Sequence, residues 1–242
     1  MYKLYKGDCL EVMKDIPNES VDMILCDLPY GTTACKWDSI IPFEPLWEQY
    51  NRLIKSNGAI VLFGTQPFTT KLIHSNLKSF KHEWIWKKER GVGFQIAKYR
   101  PMQEHEHILV FTRKGERVNY HPIMEKRQKI YISTPKNNNK SLSSPIKYSD
   151  GKTRTYTHKY PTSIKEFKRD TKKFHPTQKP VALLEYLIKT YTNENELVLD
   201  NCMGSGSTGI ACLNVNRRFI GIEKDEKYFN IAKDRIKKCI VC

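Results

Sequence analysis

The sequence predicts an α/β fold built on a largely parallel sheet and interrupted once by a basic insertion. Three observations carry that reading. Short apolar runs alternate with longer helix-periodic ones at both ends of the chain, a glycine-rich turn joins a strand to a helix near the C-terminal end, and residues 114 to 173 break the pattern with a polar, cationic stretch. With 242 residues and 39% hydrophobic content the chain can bury one substantial core, and two full-sized domains would be cramped. We therefore expect one domain assembled from residues 1–113 and 174–242, with 114–173 inserted.

Composition narrows the class. No apolar run approaches the roughly 20 residues that cross a bilayer, and MYKLYKGDCLEV lacks the apolar stretch of a signal peptide, so a cytoplasmic protein without a membrane partner is expected. The seven cysteines are scattered, several inside apolar segments such as MILCD and GIACL, which suits buried small hydrophobes better than a disulfide framework. Cys239 and Cys242 form a CxxC without a second ligand pair, so no metal is expected there. Net charge is +15, and residues 114–173 hold 16 Lys plus Arg against 5 Asp plus Glu, a local surplus of 11. That surplus, interleaved with Tyr120, Tyr131, Tyr148, Tyr156 and Tyr160, reads as a surface for a nucleic-acid backbone, with a plain solvated insertion as the alternative.

The elements follow in order. VDMILCD (21–27) and GAIVLFG (58–64) read as buried strands, and FEPLWEQYNRLIK (43–55) places Phe43, Leu46, Trp47, Tyr50, Leu53 and Ile54 on one helical face, with Asn57-Gly58 as its stop. HEWIWKK (82–88) and HEHILVFTR (105–113) suggest an antiparallel pair at the sheet edge. Beyond the insertion, Pro180 suits the first turn of a helix through VALLEYLIKTY. ELVLD (196–200) is a strand, SGSTGIACLNV a helix, RFIGIE (218–223) a strand and DEKYFNIAKDRIKK an amphipathic helix.

Two motifs carry chemistry. Gly204, Gly206 and Gly209 form a G-x-G-x-x-G turn between ELVLD and a helix, and the next strand ends in Glu223. Glycines let the backbone approach a ligand, and an acidic residue at the second strand tip can accept ribose hydroxyl hydrogens, so the pair predicts a bound nucleoside. Only 19 residues follow Glu223, too few for the second half of a dinucleotide fold, which disfavours a nicotinamide-dependent oxidoreductase. At the end of VDMILCD stands Asp27-Leu28-Pro29-Tyr30. If Asp27 and the Leu28 carbonyl each accept one hydrogen of an aromatic amino group, its lone pair is steered out of conjugation and toward an electrophile. Pro29 stiffens the turn, and Tyr30 offers a face on which a flipped base stacks.

Asp27-Leu28-Pro29-Tyr30, the later LDNCMGSGSTG and the intervening Phe174-His175-Pro176-Thr177-Gln178-Lys179-Pro180, in that order, resemble the β group of the amino-methylating DNA methyltransferases (N6-adenine or N4-cytosine). The resemblance covers nearly the whole chain outside the insertion. It implies a Rossmann-like seven-stranded S-adenosylmethionine-dependent methyltransferase fold in circularly permuted order. It further implies Asp27, Leu28, Pro29 and Tyr30 as the catalytic tetrapeptide, and cofactor contacts from Asp8, Cys9, Asp27, Thr177, Gln178, Lys179, Asp200, Cys202, Gly204, Gly206, Ser207 and Glu223. Residues 114–173 would be the target-recognition region, and Gly31-Thr32-Thr33-Ala34-Cys35-Lys36-Trp37 the loop closing over the extruded base. Two positions depart from the family pattern: Leu28 stands where proline is usual, and Asn201-Cys202 replaces Pro-Phe, removing an aromatic wall.

The implied reaction is direct transfer of a methyl group from S-adenosylmethionine to an exocyclic amine of double-stranded DNA. Cys26 and Cys35 are read as packing or loop residues. Asp27 favours N6 of adenine by family tendency, and N4 of cytosine stays open. RNA or a protein amide as acceptor, or a catalytically idle nucleic-acid binder, are the more distant readings. A homodimer and a cognate restriction endonuclease are left open as partners.

Overall fold

A computed structural model describes residues 1–31, 39–134, 152–172 and 174–241, the side chains of 240 and 241 excepted. The chain forms two compact units, one of Met1–His121 with Ser163–Cys242 and one of Pro122–Thr162.

In the larger unit, β1 (Tyr2–Lys6) leads into the short helix α1 (Cys9–Lys14), capped by the Asp8 carboxylate on the Leu10 N–H. Then follow β2 (Val21–Cys26), α2 (Phe43–Leu53), β3 (Ile54–Gly64), α3 (Phe68–Ser75), β4 (Phe80–Val92) and β5 (Gln103–Thr112). The smaller unit holds an antiparallel hairpin, β6 (Glu125–Ser133) with β7 (Arg154–Lys159), whose Tyr131 and Tyr156 rings lie 6.2 Å apart. The larger unit resumes with β8 (Ile164–Glu166), α4 (Val181–Tyr191), β9 (Leu197–Asp200), α5 (Ser207–Asn214), β10 (Arg218–Glu223) and α6 (Glu226–Val241).

Eight strands form one sheet in the order β1-β10-β9-β2-β3-β5-β4-β8. From β1 to β3 all pairings are parallel, while β5 runs antiparallel to both β3 and β4. Without the three-residue β8, these are the seven strands expected. The strand bearing the glycine loop, β9, lies third from one edge, between β10 and β2, although it comes ninth in the chain, which is the permuted order.

All six residues of β2 are buried, as a central parallel strand requires. Its alternate side chains feed two cores: Met23 and Leu25 pack with Val61, Phe63 and residues of α4 and α5, and Ile24 and Cys26 pack with Leu62 and residues of α1 and α2. One expectation fails. The helix over 43–55 ends at Leu53, and Asn57-Gly58 does not stop it but lies inside β3. There the pairing with β2 slips between Val21↔Ile54 and Met23↔Ala59, and a Cβ on Gly58 would meet the Asp22 carbonyl at 2.8 Å. The glycine thus serves a bulge that brings two backbones together.

Candidate active site

Chain connections leave β9 for β10 on one side and β2 for β3 on the other, so the sheet has its switch point between β9 and β2. In open α/β sheets ligands bind outside the carboxyl ends of the strands at such a point. A cavity of about 570 Å³ lies there, lined by residues just past the ends of β1, β2, β9 and β10. Its size falls within the roughly 300–1,000 Å³ of small-molecule sites.

On the β9 side the turn is wired through its own carboxylates. Asp200 accepts from the Cys202 N–H (3.1 Å) and the Thr208 hydroxyl (2.6 Å), and burial pushes its pKa up to about 7. Glu223 accepts from Gly204 N–H (2.9 Å) and Asp225 N–H (2.8 Å), and burial raises its pKa. Gly204 (φ +52°) and Gly206 (φ +79°) both take left-handed backbone. Asp8, at the tip of β1, pairs with Lys224 at 3.1 Å, which holds its carboxyl below the usual range. Behind the turn, the Tyr50 hydroxyl donates to Asn201 Oδ1 at 2.7 Å.

Across the cavity stands Asp27. Tyr30 donates its hydroxyl to Asp27 Oδ1 at 2.5 Å, and Lys179 donates its ammonium to Oδ2. Lys179 also lies 3.3 Å from Glu106 Oε2, and Glu106 Oε1 pairs with Lys88 at 2.6 Å. The result is a linear array of alternating charge, Asp27, Lys179, Glu106, Lys88, in which the two ammoniums are nearly shielded from water while the Asp27 side chain opens to the cavity. Burial raises the Asp27 pKa and the Lys179 ammonium works against that rise. For Glu106 burial acts upward too, but Lys179 and Lys88 outweigh it and the net shift is downward. Lys179 is held above its ordinary value, the two carboxylates overcoming burial. The Tyr30 ring packs on Phe68 with centroids 4.8 Å apart.

The segment 174–180 bridges both halves. Gln178 accepts from Phe174 N–H (3.0 Å) and Ser205 Oγ (3.3 Å) and donates to Asp170 (2.9 Å), tying the segment to the glycine loop. Burial, aided by Lys179, drives the His175 pKa down to about 4, so the ring is neutral near pH 7, and it packs on Tyr228.

The cavity brings together Asp8, Cys9, Asp27, Leu28, Pro29, Tyr30, Thr177, Gln178, Lys179, Asp200, Cys202, Gly204, Ser207 and Glu223. Gly206 is not on its wall; a Cβ there would meet the Ala232 Cβ at 2.9 Å, so its bareness lets the turn pack on α6. Residues Thr32 to Trp37, including Cys35, lie outside the described residues, as does Cys242. Cys9, Cys26 and Cys202 are free thiols, and burial lifts Cys26 to about 12, which suits packing and not nucleophilic attack. Sequence reasoning missed Glu106 and Lys88. Their signal was a carboxylate and an ammonium on the apolar strands HEHILVFTR and HEWIWKK, where lone charges are costly and a paired set is the alternative.

A largely parallel sheet with one reversed strand, a glycine loop facing an acidic strand tip and an acidic-aromatic tetrapeptide over the same cavity define a Rossmann-like methyltransferase. The chain belongs to the DNA methylase family of amino-methylating enzymes, whose family model matches residues 21–234. Type II methyltransferase M.HpaI of Haemophilus parainfluenzae is 29% identical over 97% of this chain and 74% of its own length. DNA adenine methyltransferase YhdJ of Escherichia coli (strain K12) is 29% identical over 95% of this chain and 81% of its own. The solved M1.HpyAVI-SAM complex matches with a TM-score of 0.65 at 29% identity, over 97% of this chain and 100% of that one. PvuII DNA methyltransferase (cytosine-N4-specific) shares the fold, with a TM-score of 0.67 at 15% identity over 98% and 92%.

Proposed function

We propose that this DNA methyltransferase transfers a methyl group from S-adenosylmethionine to N6 of adenine within a specific sequence of double-stranded DNA. The observation that carries the reading is Asp27: a carboxylate at the head of the tetrapeptide, on the cavity wall, kept beside a buried ammonium. Its support from relatives is the likeness to an enzyme named as a DNA adenine methyltransferase.

The residues suit the cofactor. Glu223 is oriented by two N–H donors and keeps lone pairs for ribose hydroxyls, Asp8 stands at the neighbouring strand tip, and Gly204 brings bare backbone to the wall. When bound, S-adenosylmethionine supplies an electrophilic methyl group on a cationic sulfur. Thr177, Gln178, Lys179, Asp200, Cys202 and Ser207 complete that half of the wall, with Cys9 beside Asp8.

Asp27 and the Leu28 carbonyl accept the two amino hydrogens and aim the nitrogen lone pair. A carboxylate has about four lone-pair directions, so the bonds from Tyr30 and Lys179 leave Asp27 capacity for the substrate. Tyr30, backed by Phe68, supplies a stacking face. Catalysis rests on positioning and charge complementarity.

Residues 114–173 serve as the target-recognition region, and the hairpin of the smaller unit offers Arg127 packed on Tyr131 as suitable chemistry. No described helix is long and apolar enough to cross a membrane, in keeping with work in the cytoplasm. The Type II names of relatives favour a restriction-modification setting, where an endonuclease would share the target sequence and a homodimer would suit a palindromic one. The test is methylation of unmodified DNA with labelled cofactor, followed by digestion and mass identification of the nucleoside. N6-methyldeoxyadenosine is expected; N4-methyldeoxycytidine overturns the base assignment. Asp27→Ala should abolish labelling while cofactor binding stays measurable, and near-normal turnover would refute its role.

A further inference from the structure

We infer that the tip of the β4–β5 hairpin, residues 90–102, is a second DNA-contacting element, which grips the duplex beside the active site with two aromatic rings and three cations. The tip is an ordered turn: Gly93 takes φ +92°, and N–H groups of Ile96, Ala97, Tyr99 and Arg100 bond back to carbonyls of Gly93, Phe94 and Ile96. Yet it turns large apolar groups outward. Phe94 is 78% exposed and Tyr99 87% exposed, with Ile96 and Met102 also exposed. Several large apolar groups left exposed on one ordered turn mark a binding surface.

Topology places it on the catalytic edge. β3 and β4 are each antiparallel to β5 and so point the same way, toward the edge where Asp27 and Phe63 meet the cavity. Gly64, which ends β3, is level through His107 with Ile85 of β4. β4 then runs seven residues further, to Val92, an overhang of about 23 Å at roughly 3.3 Å per residue. Its lateral offset from β2 is three strand spacings, about 14 Å. A duplex that offers a base to Asp27 lies within reach of such a tip.

Charge selects the partner. Arg90, Lys98 and Arg100 are exposed there, and no acidic residue occurs between 90 and 103. A second copy docked tip to tip would bring like charges together, whereas rings interleaved with cations suit bases and phosphates.

The inference rests on DNA as the substrate, and wild-type methylation of the same DNA shows separately whether that holds. Full-length Phe94→Ala/Tyr99→Ala and Arg90→Ala/Lys98→Ala/Arg100→Ala variants would be compared with wild type for binding of PCR-amplified DNA across a salt series, with cofactor affinity as the folding control. Truncating apolar rings that pack or wedge into a duplex groove removes their buried area, so the aromatic variant should bind about ten-fold more weakly with an unchanged salt slope. The cationic variant should lose about 2 to 3 from the slope of log affinity against log salt, near 0.9 per phosphate contact. Wild-type affinity and slope in both variants overturn the inference, as does a fall from dimer to monomer in sedimentation with DNA binding intact.

Discussion

Asp27 faces two demands that pull apart. In the proposed role it must remain an acceptor beside a substrate, yet burial favours its protonated form. Lys179 reconciles these, and Glu106 with Lys88 keeps Lys179 from being one buried cation facing one carboxylate. Removing one member of a buried pair typically costs about 3–5 kcal/mol. Lys179→Ala should therefore lower stability by that order in urea unfolding, and Lys179→Arg should restore stability better than turnover. Under the proposed mechanism turnover needs ionised Asp27, whose pKa lies above the ordinary range, so activity should fall with decreasing pH before an ordinary aspartate would protonate. A kcat profile flat down to pH 4 would contradict this. Asp200 has the same sign in stability. Its native pKa of about 7 exceeds the unfolded value, so its contribution is full below the ordinary aspartate range and is lost as pH rises through 7. Between pH 5 and 8, wild-type unfolding free energy should drop by more than that of Asp200→Asn.

At the scale of elements, the turn between β9 and α5 shows why glycines sit where they do. An alanine at Gly206 would hold an unfavourable φ and press on Ala232. Gly206→Ala should cost about 1–3 kcal/mol, read by thermal unfolding, with cofactor affinity falling as the loop shifts. Of the strands that meet the cavity, β2, β9 and β10 were legible because they are mostly buried and read as largely apolar runs. β1 escaped notice because YKLYK is half exposed, and α1, at six residues, is too short to show a helical period. The β6–β7 hairpin was hidden differently: EKRQKIYIS and RTYTHK expose nearly every side chain, so no buried face imposes alternation. In the site, the tetrapeptide, glycine loop and Glu223 were visible as local motifs. The array from Asp27 to Lys88 was not, because it joins residues from four separate segments that only the folded sheet brings side by side.

For the whole molecule, charge and shape act together. The excess of 15 positive charges over 242 residues makes any complex with a polyanion dependent on salt. A complex with six phosphate contacts should lose about a thousand-fold in affinity between 50 and 200 mM salt, measurable by fluorescence anisotropy. An affinity insensitive to salt would show that the cations are not engaged.

The permuted strand order also has a consequence in time. A ribosome releases Asp27 and its tetrapeptide early, but the donor side of the cavity is incomplete until Glu223 has emerged and β10 has slotted between β1 and β9. With the proposed roles, nascent chains therefore hold the acceptor-orienting half for most of translation without the half that binds the donor. Truncated products of the gene should leave the host genome unmarked.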